Sequence, residues 1–144
     1  MAGNPLVGVW KLLSYEARNL DDGTTTALYG DRPSGYITYG STGYMSVVFM
    51  AGDRAPIEGG DVQGGPTEQR LQAMDTFNAY SGTYDYDGQS VRHHVEVAMF
   101  PNWVGSTQLR QVDLTENRLT LSSPPMVRRG KNCTAHLTWE RVSG

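Results

Sequence analysis

The sequence has 144 residues, of which 12 are basic and 15 are acidic, and a net charge of −3. This length fits one domain over residues 1–144, and 38% hydrophobic with 19% charged residues excludes an extended disordered chain. Because the basic residues form no stripe and are outnumbered by acidic ones, we expect no nucleic-acid partner. No apolar run approaches the ~20 residues that a membrane helix needs, so we expect no membrane partner.

Cysteine content and the N-terminal residues bear on cellular location. Cys133 is the single cysteine, which rules out an intrachain disulfide. The segment MAGNPLVGVW lacks the basic stretch and the apolar run of a secretory signal. Since secreted barrels of this size often carry a disulfide, we expect a cytoplasmic protein.

Short segments rich in Val, Thr, Tyr and Leu alternate with glycine and proline, which predicts many strands joined by turns. The first segment is long and ends at the turn LDDG, and Asp87-Gly88 is a strong hairpin signal. The predicted strands are 6–19, 36–40, 44–50, 82–87, 90–100, 107–114, 117–123 and 133–142.

The middle of the chain follows a different pattern. Thr67, after Pro66, can cap a helix, and apolar residues then recur at roughly helical spacing. These apolar residues are Leu71, Met74, Phe77 and Tyr80. We predict a short amphipathic helix within 67–82, preceded by a glycine-rich loop over 51–66, and we expect the two to form a lid over an opening.

Eight short strands, mostly connected by hairpins, predict an all-β fold in which an antiparallel sheet closes into an up-and-down barrel. A barrel of about eight strands has room for side chains or for one small ligand. An open sandwich of two sheets is the alternative.

Several segments of the chain resemble the lipocalin-like domain family of small bacterial and fungal proteins. They are LVGVWKLLSYE, GYITYGSTGYMS, AYSGTYDYDG, VRHHVEVAMFPNWVGSTQLRQ, RLTLSSPP and LTWERV, which span nearly the whole chain. Gly8-Val9-Trp10 is similar to the opening of lipocalins, in which the Trp plugs the barrel floor and an Arg of the last strand crosses it. Arg141 is the candidate for that Arg.

The resemblance implies an up-and-down barrel with a central cavity but no single activity. Barrels of this kind include carriers as well as cofactor-free cyclases and isomerases. Because the chain lacks the disulfides and the usual length of secreted lipocalins, their transport role does not carry over.

The segment HHVEVAMFPNWVG (93–105) contains two adjacent histidines. Successive side chains of a strand point to opposite faces, so His93 and His94 cannot both face the interior unless a bulge intervenes. His93 would share a face with Val91, Val95, Val97 and Met99, and His94 with Arg92, Glu96, Ala98 and Phe100. Apolar faces usually point inward, which favours an interior His93. With the polar face inward, His94 and Glu96 would lie about 6–7 Å apart, within reach of one ligand.

General acid–base catalysis is the chemistry that these residues favour. A histidine titrates near neutral pH, and Glu96 could orient it or hold a proton. Arg110 could bind a carboxylate, enolate or ketone oxygen, or it could pair with Glu96 as a structural ion pair across neighbouring strands. The candidate catalytic residues are therefore His93, His94, Glu96 and Arg110.

The sequence predicts neither a metal site nor an organic cofactor. His94, Glu96 and His136 have no spacing signature of a metal site. The glycine pairs 59–60 and 64–65 are not followed by the residues of a phosphate-binding loop, and no dinucleotide fingerprint occurs.

The expected partner is a small hydrophobic molecule inside the barrel, and a homodimer is left open. Aromatic and long apolar side chains can line a pocket for a flat or apolar ligand. The candidate ligand-binding residues are Trp10, Tyr44, Phe49, Met74, Phe77, Tyr84, Trp103 and His136.

Three functions are compatible with such a barrel. It could be a cofactor-free cyclase, isomerase or dehydratase of polyketide-like natural-product metabolism, which the expected cytoplasmic location favours. It could instead be a carrier or sensor that holds its ligand unchanged. A barrel packed solid would act as an interaction module.

Overall fold

The structure is a computed structural model and describes residues 3–144. Strands dominate this range, and its helices are too short and too polar to cross a membrane. The elements are β1 Gly8–Asn19, β2 Thr25–Ala27, β3 Ser34–Tyr39, β4 Tyr44–Met50, α1 Thr67–Asp75, β5 Phe77–Tyr86, β6 Ser90–Ala98, a 3₁₀ helix Pro101–Trp103, β7 Thr107–Leu114, β8 Arg118–Ser122, β9 Met126–Arg128 and β10 Lys131–Ser143.

Eight antiparallel strands close into a barrel. They neighbour one another in the order β1-β3-β4-β5-β6-β7-β8-β10, and β10 pairs back onto β1 along most of its length. The short strands β2 and β9 extend β1 and β10 at the end where β1 ends and β10 begins, which we call the upper end. The predicted up-and-down barrel is confirmed. Closure removes the long exposed edges that a two-sheet sandwich would keep.

A tryptophan closes the lower end of the barrel. Trp10 is fully buried, and its indole N–H donates a hydrogen bond of 2.9 Å to the carbonyl of Leu6. The guanidinium of Arg141 lies 4.2 Å from the centroid of the Trp10 ring and donates to the carbonyls of Val7 and Pro5. The crossing of Trp10 by an arginine of the last strand is therefore confirmed.

The helix is shorter than the spacing of apolar residues predicted. It ends at Asp75, and the chain from Phe77 onward is a strand whose ladder with β4 begins at the pair Met50↔Phe77. Thr67 does not cap the helix, because Pro66 occupies the N-cap position without a side-chain hydrogen bond. No residue of α1 is buried, so the helix has no apolar face packed on the barrel. Here long-range strand pairing overrides local helical spacing.

A bulge interrupts β6 after the histidine pair. Gly82 of β5 pairs with Val95, and the preceding Ser81 pairs with Val97, so Glu96 is the extra residue. A side chain at position 82 would overlap the backbone carbonyl of His94, which explains the glycine. The bulge reverses the alternation: Val97 is 67% exposed, and the prediction that it shares the face of His93 was wrong.

Candidate functional site

The barrel encloses a cavity of about 60 Å³ between the Trp10 floor and the upper end. Its wall is built from inward-facing side chains of β1, β3, β4, β5, β6, β7, β8 and β10, with contributions from the 3₁₀ helix and β9. The lining residues are Tyr15, Ile37, Val47, Phe49, Asn78, Tyr80, His93, Trp103, Arg110, Leu121, Met126, Ala135, Leu137 and Trp139. Met126 is the exposed member of this lining and Trp103 is partly buried; both lie at the upper end, which marks the mouth.

Aromatic rings make up much of the wall and hold one another in edge-to-face contacts. Phe49 contacts Tyr15 at a centroid distance of 5.2 Å and Trp139 at 6.4 Å, with rings near perpendicular in both pairs. Tyr80 contacts Trp103 in the same way at 5.8 Å. This arrangement exposes ring faces and edges to the interior and suits a flat aromatic guest.

His93 lies below the cavity between two tyrosines. Its Nε2 is 2.6 Å from the hydroxyl of Tyr39 on β3, and its Nδ1 is 2.6 Å from the hydroxyl of Tyr80 on β5. The imidazole is 1% exposed. Both ring nitrogens are therefore occupied by phenol groups, and neither is free to take a proton from a ligand.

Burial controls the protonation of this group of side chains. It is the largest cause that lowers the pKa of His93 to about 3, and the positive charge of Arg110 and the neighbouring His94 contribute to the same shift. Burial also raises the pKa of Tyr80 to about 12 and that of Tyr39 well above its usual value. At neutral pH the three side chains are thus a neutral imidazole between two neutral phenols.

Arg110 brings a positive charge to the cavity wall. Its guanidinium is half-buried and donates to the backbone carbonyl of Leu109 and to the side-chain oxygen of Gln108. It forms no salt bridge with any residue of the described range, and the pairing with Glu96 that the sequence left open as an alternative is absent there. A ligand oxygen with partial or full negative charge would be stabilised beside it.

Two buried polar atoms of the wall have no hydrogen-bond partner within residues 3–144. They are the side-chain oxygen of Asn78 and the indole N–H of Trp139. Leaving such groups unpaired costs about 1–3 kcal/mol each, so buried polar atoms are normally satisfied. Both side chains belong to the cavity wall.

The structure gathers some predicted site residues at the cavity and separates others. His93, Arg110, Phe49 and Trp103 line it. Trp10 and Tyr84 are buried nearer the floor, where the Tyr84 hydroxyl donates to the carbonyl of Gly40. Of the predicted lid, 51–82, only Asn78 and Tyr80 line the cavity, and both belong to strand β5; the lid stays a prediction.

The remaining predicted site residues lie outside the cavity lining. His94 belongs to an outer polar stripe, where its Nε2 is 2.7 Å from a carboxylate oxygen of Asp85. Glu96 is exposed at the bulge. The ring of His136 contacts the hydroxyls of Ser122 and Thr134. Tyr44 and Met74 are exposed, and Phe77 lies beneath the guanidinium of Arg54. Catalytic or ligand-binding roles for these residues stay predictions. Within the described range no three His, Cys, Asp or Glu side chains cluster as metal ligands would.

Several residues of the cavity wall, above all Tyr80 and Asn78, were not predicted from the sequence. Helical spacing placed Tyr80 in the helix, but the segment FNAYSGTYDY also alternates: Asn78, Tyr80, Gly82 and Tyr84 are buried and their neighbours are less so. That two-residue period was the signal that could have found them. Trp139 could have been found from its place in the alternating last strand.

Two comparisons with known proteins bear on this site. The sequence pattern of the lipocalin-like domain matches residues 7–142. The 4'-hydroxy-3'-methoxypropiophenone carrier protein of Aspergillus oryzae is 32% identical over 107 residues, which cover 68% of this chain and 96% of that protein. The match to the domain pattern includes all the strands that build the cavity, and we conclude that the chain belongs to the lipocalin-like domain family.

Proposed function

We propose that the barrel binds a small aromatic molecule in its cavity and releases it unchanged, as a carrier does. The observation that carries this proposal is the cavity itself: an aromatic wall inside a closed barrel, with two polar atoms that have no hydrogen-bond partner among residues 3–144. The A. oryzae relative is named as a carrier of an aromatic ketone, which is a guest of this chemistry.

The size of the cavity sets a condition on binding. Its volume of about 60 Å³ is well below the ~300–1,000 Å³ of most ligand pockets. A substituted phenyl ketone therefore needs the mouth side chains to move outward. Met126 is flexible and partly exposed, and Trp103 sits on a short 3₁₀ helix, so both can move without breaking the strand ladders.

A cavity-filling variant tests the site of binding. Ala135 faces the cavity, and Ala135→Leu should lower the affinity for 4'-hydroxy-3'-methoxypropiophenone by about tenfold or more, because the added carbons occupy the ligand's space. Ala79→Leu, on the outer face of β5, is the matched control and should bind as the unmodified protein does. Isothermal titration calorimetry measures both, with thermal unfolding as the check on folding. Equal binding by all three proteins would place the ligand outside the barrel.

Catalysis is the second candidate function, and Arg110 is the observation in its favour. A half-buried cation without a carboxylate partner in the described range could stabilise an enolate. The low pKa of His93 and its two tyrosine partners make that imidazole a poor general base. Mass spectrometry after prolonged incubation separates the candidates: a carrier returns the ligand unchanged, whereas an enzyme converts it.

A further inference from the structure

The hydroxyl group of Tyr80 connects the buried histidine to the cavity. Tyr80 and His93 both line the cavity, whereas Tyr39, on the other side of the imidazole, does not. The three side chains form one chain of short hydrogen bonds that runs from the barrel floor to the cavity wall. The direction of these hydrogen bonds decides what Tyr80 offers to a ligand.

The positions of the hydrogens follow from the surroundings of Tyr39. A neutral imidazole donates from one ring nitrogen and accepts at the other. The Tyr39 hydroxyl has no partner besides His93 within residues 3–144 and is 1% exposed, so its hydrogen has only the imidazole as an acceptor. Placing the imidazole proton on Nε2 would leave that hydrogen buried without an acceptor. With the proton on Nδ1 it is the Tyr80 hydrogen that has no acceptor in the described range, and Tyr80 lines the cavity, where a ligand can accept it. Tyr39 therefore donates to Nε2, and the proton of His93 is on Nδ1.

This arrangement frees the hydrogen of Tyr80. Because Nδ1–H donates to the Tyr80 oxygen, the Tyr80 hydrogen points away from the imidazole and is available on the cavity side. The ring of Tyr80 is held by its edge-to-face contact with Trp103, which limits its rotation. Since the pKa of Tyr80 is about 12, its hydroxyl keeps this hydrogen over the whole physiological range.

We propose that Tyr80 donates a hydrogen bond to an acceptor oxygen of the ligand, so that the cavity selects aryl ketones and related carbonyl compounds. Tyr39 and His93 are positioning residues that hold the Tyr80 hydrogen toward the ligand. This inference rests on the proposed function, because it requires a ligand in the cavity. It assigns His93 a role that does not involve gaining or losing a proton. Arg110, on strand β7 next to the strand of His93, is the charged group of the lining beside this network.

Two probes that differ only at the carbonyl test the selection. They are 4'-hydroxy-3'-methoxypropiophenone and 2-methoxy-4-propylphenol, and in the second a methylene replaces the carbonyl. Calorimetric titration measures the affinity of each at a pH where both phenols are protonated. The unmodified protein should prefer the ketone by about tenfold, as expected for one buried hydrogen bond. Tyr80→Phe should remove this preference and leave binding of the propylphenol nearly unchanged.

Tyr39→Phe is the sharper variant, because Tyr39 does not line the cavity. Without the Tyr39 donor, the imidazole can move its proton to Nε2 and accept the Tyr80 hydrogen at Nδ1. The preference for the ketone should then fall by about tenfold as well, although the ligand contacts are unchanged. Tyr36→Phe, at an exposed tyrosine of the same strand β3, is the control and should keep the preference.

The outcomes separate this inference from the proposed function. Equal binding of the two probes by the unmodified protein, or equal weakening of both by the variants, overturns the selection by Tyr80 while binding in the cavity stands. Binding of neither probe contradicts the proposed function. Nitrogen NMR of the histidine rings in the unmodified protein is independent of any variant: His93 should carry its proton on Nδ1, and an Nε2–H imidazole would overturn the inference.

Discussion

The imidazole of His93 is stable in the barrel only while it is neutral, because its surroundings offer no compensation for a positive charge. Tyr39 and Tyr80 are neutral phenols, and Arg110 is itself positive. His94, one residue further on, differs in every respect: its side chain is 41% exposed and lies against the carboxylate of Asp85. Two adjacent residues of one type therefore lie in opposite electrostatic surroundings.

The buried imidazole should make stability depend on pH. The unfolded chain binds a proton at His93 near pH 6.5, whereas the folded chain does so only near pH 3. The free energy of unfolding therefore decreases as the pH falls from 6.5 towards 3. The slope from this residue is at most about 1.4 kcal/mol per pH unit. In His93→Gln this component should vanish, with a loss of ~1–3 kcal/mol at neutral pH from the broken hydrogen bonds.

Urea unfolding at a series of pH values measures this difference. The carboxylates that titrate in the same range are common to both proteins, so a difference in slope between them belongs to His93. An unchanged slope in His93→Gln would mean that His93 is not buried as a neutral group.

Single residues of the site were predictable only where one local pattern settles the direction of a side chain. Apolar alternation around Val91 and Val95 favoured an interior His93, and the structure has it there. No such pattern predicted that Asn78 lines the cavity. Nor did one predict the contacts of His93 with Tyr39 and Tyr80, because Tyr39 and His93 are 54 residues apart in sequence. Distances across a barrel depend on register and closure, which no short segment encodes.

At the scale of elements, the bulge in β6 depends on Gly82. A Cβ at this position would overlap the carbonyl of His94, so Gly82→Ala must displace β6 or abolish the bulge. The expected result is a loss of about 2 kcal/mol or more in the free energy of unfolding, because both strands are held by ladders on either side. Denaturant unfolding measures it.

Gly60→Ala is the matched control for this change. Gly60 lies in the loop before α1, has open space around it and has no positive φ angle, so alanine should be neutral or slightly stabilising there. If Gly82→Ala is as stable as Gly60→Ala, the close approach of β5 to β6 at this glycine is not present in solution.

The elements show why hairpins were easier to predict than the helix. Strands β4 and β7 have the predicted bounds, 44–50 and 107–114, because turn residues mark both of their ends. The predicted helix over 67–82 was too long, since Phe77 and Tyr80 fit both a helical and an alternating pattern. The ladder with β4 decides between the two, and it involves residues more than 25 positions away. The bulge at Glu96 had no comparable signal, and the sequence therefore misplaced Val97.

At the scale of the whole molecule, closure of the sheet through the pairing of β1 with β10 makes a barrel that is sealed at one end. Trp10 and Arg141 seal the lower end, whereas the upper end is covered only by side chains such as Trp103 and Met126. A ligand that enters the cavity must therefore displace side chains at the upper end. The exchange rate of the ligand then depends on how firmly these side chains are held.

Trp103 is the larger of these two side chains, and its ring contacts Tyr80 at 5.8 Å and Phe100 at 5.4 Å. In Trp103→Ala we expect the ligand to dissociate about tenfold faster, because the mouth is wider and an aromatic contact worth ~0.5–1.5 kcal/mol is lost. Stopped-flow fluorescence of Trp139, which lines the cavity and remains in the variant, reports the rate. Val104→Ala, at the exposed neighbouring residue, should leave the rate unchanged. If Trp103→Ala also releases the ligand at the unmodified rate, the ligand passes between other elements, and the upper end is not the mouth.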